Sequence, residues 1–480
     1  IIHGDTVDYN NLINLDEQTS FDRNLRTSLG LDPNGSDWID IDNLSPETYD
    51  LSMFSAEELL VGLSSSLVNY YGYDYTGTHK YNKKTTIYDF FNSTDENGNK
   101  TYNIGAYEPI YMALYLQDKF SIQSLLFNIG VRIDRFDANQ SVLSDPYLFR
   151  AAYTVGDLVE KGYMRDQYFT NNAGDDWVVY VNQKDGTLDL DNTTIIGYRN
   201  GNTWYDSQGQ EVADPENMLG ANGGPILVDA LENGAISKVD PSAFEDYKPQ
   251  WSIMPRVSFS FPVSDNSVFT AHYNIITSRP TNLQLSPIDY LFIEKFGTNA
   301  NNIVNNPNLK PQKSIDYEVS FTQKVSDKSA IGITAYYSEK RDQIQAYRYS
   351  GSYPSTYYSY ANLDFGTVQG FSLSYDLRRI KNISLRAGYT LQFAKGTGSS
   401  ASSNLAIIAS GQPNLRTLNN LSFDQRHRIS ANIDYRFDGG ADYNGPKSQY
   451  SKKGTNKVKE IRWLENTGIT LLLSAASGLP

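Results

Sequence analysis

The 480-residue chain contains no cysteine, so it can form no disulfide and offers no thiolate as ligand or nucleophile. That absence leaves the redox compartment open. Histidine is almost as scarce. His3, His79, His272 and His427 stand far apart in sequence, which argues against a histidine-based metal centre. Basic charge is not in excess. A formal net charge of −14 argues against a nucleic-acid partner and is compatible with counter-ions or cationic ligands. We find no nucleophile elbow, phosphate-cradling glycine loop or histidine metal motif, so an enzyme is not expected, nor is a cofactor. Long apolar runs are also missing. The mean hydropathy is −0.49, and no run approaches the ~20 residues of a membrane helix. Crossing by strands stays open, because each barrel strand carries only a weak hydropathy signal. The chain starts at Ile1 with no signal peptide and closes at Pro480 directly after a strand-like run. Both ends look cut, so the sequence reads as a piece of a longer protein.

What the chain does have is aromatics, with 36 Tyr and 21 Phe, and strict alternation. Between Pro255 and Phe437 apolar and polar residues alternate in stretches cut by turns. Ile315, Tyr317, Val319 and Phe321 alternate with Asp316, Glu318, Ser320 and Thr322. Ile383, Leu385, Ala387, Tyr389, Leu391 and Phe393 alternate with Ser384, Arg386, Gly388, Thr390 and Gln392. Ile429, Ala431, Ile433, Tyr435 and Phe437 alternate with Arg428, Ser430, Asn432, Asp434 and Arg436. Side chains on a strand point to opposite faces with period two. Each stretch therefore has one apolar face and one polar or charged face, the pattern of a transmembrane β-barrel.

The strands come in pairs. Expected are Tyr111–Phe120 with Leu125–Asp137, Ile253–Phe261 with Val268–Ile275, Ser314–Val325 with Ala330–Ile344, and Asn362–Arg378 with Ile383–Ala394. Short turns join each pair. Longer connections, 277–312, 345–361 and 395–421, join successive pairs. Short turns on one side and long loops on the other are the periplasmic and extracellular ends of an outer-membrane barrel. A soluble sandwich mixes its loop lengths and buries its apolar face. The last pair, His427–Phe437 with Ile469–Ala476, breaks the rule. A basic segment bearing Lys447, Lys452, Lys453, Lys457 and Lys459 separates its strands.

Two regions lack sustained alternation. Residues 1–104 read as an extracellular loop region with one short amphipathic helix. There Ser55 and Glu58 form a capping-box signature ahead of Leu59, Leu60, Leu63 and Leu67. Asp37, Asp40 and Asp42 crowd one turn and could hold a structural Ca²⁺, but no full Ca²⁺-loop spacing follows, and a solvated acidic loop is favoured. Residues 138–250 read as a large extracellular loop with its own hairpins, turning at sites such as Asn200-Gly201. Its Trp177, Tyr180, Trp204 and Tyr205 could bind a substrate or form the loop's core, and the core is favoured. Residues 105–137 and 251–480 supply the barrel strands, roughly ten in all, cut off before the barrel closes. Arg132, Asp134, Asp316, Glu318, Arg386, Arg428, Asp434 and Arg436 are expected to face the lumen, with cross-strand pairing as the plainer role for several. Tyr273, Tyr337, Tyr389 and Tyr435 are expected outside, at the membrane interfaces.

At these residues the chain resembles the TonB-dependent outer-membrane transporters, in particular the Oar-like and SusC-like branch. The matching pieces are Tyr115-Leu116-Gln117-Asp118-Lys119-Phe120, Gly130-Val131-Arg132-Ile133-Asp134-Arg135-Phe136 and Pro255-Arg256-Val257-Ser258. Asn308-Leu309-Lys310-Pro311, Phe423-Asp424-Gln425-Arg426-His427 and Ser477-Gly478-Leu479-Pro480 follow in the same order. The resemblance implies a barrel of about 22 strands plugged by an N-terminal domain in the outer membrane of a Gram-negative bacterium. It implies import of a large substrate such as a peptide or glycan, energised by the TonB complex through an N-terminal box. Its partners would be outer-membrane lipid, TonB and a possible surface lipoprotein, with no nucleic acid. This chain lacks the plug and the box and would be about half of that barrel. A surface adhesin or passive channel is the alternative function. A soluble glycan-binding β-protein is a third reading.

Overall fold

The computed structural model describes residues 18–61, 66–78, 85–96, 98–183, 193–228, 241–281, 284–412, 416–451 and 458–480. Leu63, His3, His79, Lys452, Lys453 and Lys457 lie outside the described residues.

Ten long strands follow one another as an antiparallel meander. They are β1 (Ile110–Ile122), β2 (Leu125–Asp137), β3 (Gln250–Ser264), β4 (Ser267–Ser278), β5 (Gln312–Ser326), β6 (Ser329–Tyr349), β7 (Tyr357–Ile380), β8 (Ile383–Gly396), β9 (His427–Arg436) and β10 (Gly468–Ala476). Asn419–Asn420 adds a two-residue strand beside β8, making an 11-stranded sheet. The path is open: β1 and β10 are its two ends and do not pair with each other. This is an antiparallel transmembrane β-barrel in part. No helix among the described residues is long and apolar enough to cross a membrane.

Four of the hairpins turn within two residues at one end. Gln123 and Lys381 adopt the left-handed backbone there, at φ 53° each. In the β3–β4 and β5–β6 turns the flanking serines meet across the strands, Ser264 with Ser267 at 2.5 Å and Ser326 with Ser329 at 2.7 Å. These contacts tie the ladder end while the bulge in each register accommodates the turn.

The expected loop 345–361 is largely strand. β6 and β7 run past the rest of the sheet, pairing up to Tyr349 opposite Tyr357, whose rings stack at 4.8 Å. A register shift near Lys340–Gln343 interrupts the regular alternation, and beyond it the aromatics pack into a core. The segment after β9 is also ordered in part, as a hairpin of Lys447–Ser451 with Val458–Arg462.

The long connections share a core above the sheet. Phe90, Tyr147, Phe149, Tyr180, Trp204, Tyr290, Ile293 and Tyr357 are buried together. Helices feeding this cap begin at sequence-coded caps. Ser55 and Glu58 exchange bonds of 2.7 and 3.2 Å ahead of helix Ala56–Val61. Thr86 with Asp89 caps Ile87–Asn92, and Ser286 with Asp289 caps Pro287–Phe296. Within 138–250 a five-stranded sheet forms around Val178–Val181 and Ile195–Asn200, the latter turning at Asn200-Gly201 into Thr203–Asp206.

Candidate functional site: the polar face and the cap above it

Residues directly paired across a sheet share a face, so the register sorts every side chain of the meander. Phe127, Phe259, Ala271, Val319, Ala335, Phe371 and Leu391 form one continuous row. Phe261, Phe269, Phe321, Ile333, Leu373, Tyr389 and Ile429 form the next. Val319 remains 45% exposed, Ile333 41% and Ile429 50%. Among the described residues no second protein layer covers these rows. A soluble monomer rarely exposes apolar patches beyond a few hundred Å², whereas acyl chains would cover this one at no desolvation cost. Tyr273, Tyr317 and Tyr337 form a ladder on the same face, with ring centroids 5.1 and 6.2 Å apart.

The other face is polar. Asn128, Ser258, His272, Glu318, Tyr336, Gly370 and Gln392 make one row. The register puts Arg132, Asp134, Asp316, Glu318, Arg386, Arg428, Asp434 and Arg436 all on this face. It is also the concave one. Cavities of about 760 Å³, beside Arg386 and Asp434, and about 440 Å³, beside Arg132 and His272, open on it. Several of its charges are paired. Arg132 meets Asp134 at 2.8 Å and Arg386 meets Asp376 across the strands at 2.8 Å. Arg379 and Thr470 both hold Asp434 at 2.9 Å, while Arg436 lies 3.8 Å from it. Ser338 donates to Asp316 at 2.5 Å. Mixed-sign pairs left facing water keep their hydration and impose little desolvation cost.

The cap closes over the long-loop end. Its 138–250 insertion is fastened by arginines that the sequence reading did not single out. Arg199, 2% exposed, donates to Asp145 at 2.5 Å, to Tyr180 at 3.1 Å and to the Gly201 carbonyl at 2.8 Å, with the Tyr147 ring 4.7 Å away. Burial works against its charge, but Tyr180 and Asp145 outweigh that and hold the guanidinium ionised. Arg150 pairs with Glu294, and Arg348 with Glu216. No local signal marks these residues, because each partner comes from a distant segment.

The four loop aromatics pack internally. Tyr180 and Trp204 are buried, and Trp177 stacks on Tyr205 at 3.9 Å and 15°. Trp204 also lines a cavity of about 340 Å³ between the insertion and β6, beside Tyr347 and Arg348. A larger cleft of about 470 Å³ lies where the cap meets the sheet, lined by Tyr71, Tyr107, Glu108, Gln140, Asp246 and Gln284 among others. Asp37, Asp40 and Asp42 are not gathered. Asp40 accepts from Asn43 at 2.6 Å and the Asp37 carbonyl accepts from Arg26 at 2.8 Å. Among the described residues no group of three or more His, Asp or Glu is placed to hold a metal ion.

A family model described as TonB dependent receptor-like, beta-barrel matches residues 3–475. No curated protein matches the sequence. Solved structures that resemble the chain include the FrpB iron transporter from Neisseria meningitidis (F3-3 variant), at 10% identity and a TM-score of 0.32, covering 69% of this chain and 32% of that one. The ferric-catecholate import receptor Fiu from E. coli K12 matches at 12% identity and a TM-score of 0.32, covering 70% and 35%. The ferric yersiniabactin uptake receptor FyuA from Yersinia pestis matches at 10% identity and a TM-score of 0.31, covering 69% and 32%. The chain spans about a third of the length of these structures.

Proposed function

The chain belongs to the family of TonB-dependent receptor-like β-barrels, and from that premise we propose that it is the receptor half of an energised outer-membrane importer. Its location is the outer membrane of a Gram-negative bacterium, and its family is one of receptors and transporters rather than enzymes. In our reading the cap captures a large substrate, such as a peptide or glycan, at the extracellular end. The concave polar face then forms the wall of the lumen. Its Arg and Asp side chains offer hydrogen bonds to a polar plug or to passing solute while keeping water contact. TonB supplies the energy through a part of the protein outside this chain. Membership of the Oar-like and SusC-like branch, with a surface lipoprotein as lid, is the finer reading that the motif order favours.

The observation that supports this most is the two-sided sheet, with a bare apolar face outside and a charged concave face inside, under a folded cap. Growth and uptake tests follow from it. A strain lacking the gene is compared with its parent on panels of peptides and glycans, with and without the proton gradient. Uptake that is lost in the deletion and also lost when the gradient is collapsed supports import. Surface binding with no gradient-dependent uptake supports the adhesin or passive-channel alternative instead.

A further inference from the structure

Strands β3 and β4 part at the cap end of the wall. Their outermost pair is Arg256 with Asn274, yet β3 extends to Gln250 beside β2, and β4 extends to Ser278 beside β5. Pro255, the first β3 residue beyond that pair, has no N–H to offer a neighbour, which suits a point where pairing stops. Met254, buried, fills the fork. Its Sδ accepts from the Thr277 N–H at 3.4 Å and from Thr277 Oγ1 at 3.1 Å. A thioether is a weak acceptor, so the Thr277 hydroxyl is lightly held.

A cavity of about 260 Å³ opens beside this fork, lined by Tyr111, Asp134, Ser252, Thr277 and Arg279 among others. The register sets Tyr111, Phe136 and Gln250 in one row and Asp134 and Ser252 in the next, all on the concave face. Arg279 lies over two rings, 5.2 Å from the Tyr111 centroid and 5.0 Å from that of Phe136. Stacking of this kind holds a guanidinium by its face and leaves its N–H edge to bond. Among the described residues no carboxylate or carbonyl takes that edge. The acid lining the cavity is already answered, since Asp134 meets Arg132 at 2.8 Å and accepts from Tyr111 at 2.7 Å. Among the described residues, Arg279 is therefore the uncompensated charge of the cavity, in a chain whose net charge is −14.

We infer that this cavity is a carboxylate subsite in the barrel wall, with Arg279 as its anchor and the Thr277 and Ser252 hydroxyls as further donors. A guanidinium edge matches both oxygens of a carboxylate with two parallel hydrogen bonds. Thr277 exchanges its thioether acceptor for a ligand oxygen, which is the stronger bond. One uncompensated cation beside the Asp134 carboxylate suits a singly charged group and disfavours a phosphate dianion. The ligand group is thus an acidic residue of a peptide or a uronic sugar of a glycan. The inference rests on the importer reading for what the site serves, whereas binding is measured without transport.

The test uses the whole chain in non-ionic detergent at low salt, where screening of an exposed charge is weakest. It is titrated calorimetrically with N-acetylglutamate α-amide, with glucuronate and with inorganic phosphate. The subsite predicts saturable binding of a carboxylate, tighter than that of phosphate, and the tighter of the two carboxylates assigns the site to peptide or to glycan. Arg279→Gln should weaken it about tenfold or more, while Lys328→Gln, in the tight turn at the opposite end of the wall, leaves it unchanged. Heat-modifiable gel migration checks that each variant is folded. A second readout needs no variant: bound carboxylate should slow modification of Arg279 by phenylglyoxal, followed by mass spectrometry. Binding that survives Arg279→Gln, or falls equally with Lys328→Gln, overturns the site, as does a modification rate indifferent to both carboxylates. Phosphate bound more tightly than either carboxylate overturns the ligand class. Carboxylate binding without gradient-dependent uptake leaves the subsite standing and removes the importer reading instead.

Discussion

Arg348 grips Glu216 with two hydrogen bonds, of 2.8 and 2.7 Å, across 132 positions of chain. One residue is near the tip of β6 and the other is in the 138–250 insertion, so the pair fastens the insertion to the end of the barrel wall. Thr356 Oγ1 donates to the same carboxylate at 2.8 Å. Both side chains of the pair keep some water contact, which discounts the charge term. Glu216→Gln is expected to loosen the insertion by about 1 kcal/mol. Faster protease nicking within 138–250, with the barrel intact on gels, is the readout.

Arg199 holds the insertion together internally, and more strongly, because its charge is buried. Arg199→Leu leaves Asp145 and the Tyr180 hydroxyl without their partner. The expected cost is about 3 kcal/mol, at the low end for a broken buried pair because Asp145 is partly exposed. Hydrogen exchange should accelerate in Val178–Val181 and Ile195–Asn200 and stay unchanged in β5 to β8.

The cap should fail in alkali before the barrel does. Burial pushes the Tyr102 phenol up to about 12 and also raises Tyr147, Tyr180 and Tyr290. A phenol raised in the fold above its unfolded value of about 10 binds its proton more tightly when native. Its stabilising contribution is therefore full below about pH 10 and is lost as pH rises through the folded value. Phenolate absorbance should appear in two phases. Exposed tyrosines titrate first, and the buried set follows only as near-UV dichroism of the cap is lost.

The wall should reject charge on one face alone. Val319→Arg or Ile433→Arg is expected to cost ~2–4 kcal/mol near the bilayer midplane. Ser320→Arg, one position along and on the concave face, should assemble normally. Yield of heat-modifiable protein in outer-membrane fractions reads both.

The long strands are legible in the sequence because each lies between two different environments. Val319 and Ser320 are neighbours in the chain, and their alternation already separates the faces. The charged residues of the concave face can be found in the same way, but their partners cannot: Arg379 finds Asp434 from 55 positions away. The cap leaves no periodic trace, because its core is gathered from separate segments. Phe244 packs against Phe91 at 6.3 Å and against Tyr290 at 4.9 Å, bringing together the region before β1 and two different connections. The strand ends at Tyr349 and Tyr357 read as loop for the same reason, since they leave the two-sided wall and enter that core.

The absence of native cysteine makes the most direct measurement simple. Val319→Cys and Ser320→Cys each take a single nitroxide label in membrane-reconstituted protein, and its collisions with oxygen and with a water-soluble nickel chelate are compared. The label at 319 should meet oxygen and exclude nickel, and the label at 320 should meet nickel. Nickel access at 319, or protection of that label from both reagents, would mean that water or protein covers the apolar face, and the transmembrane account would be wrong.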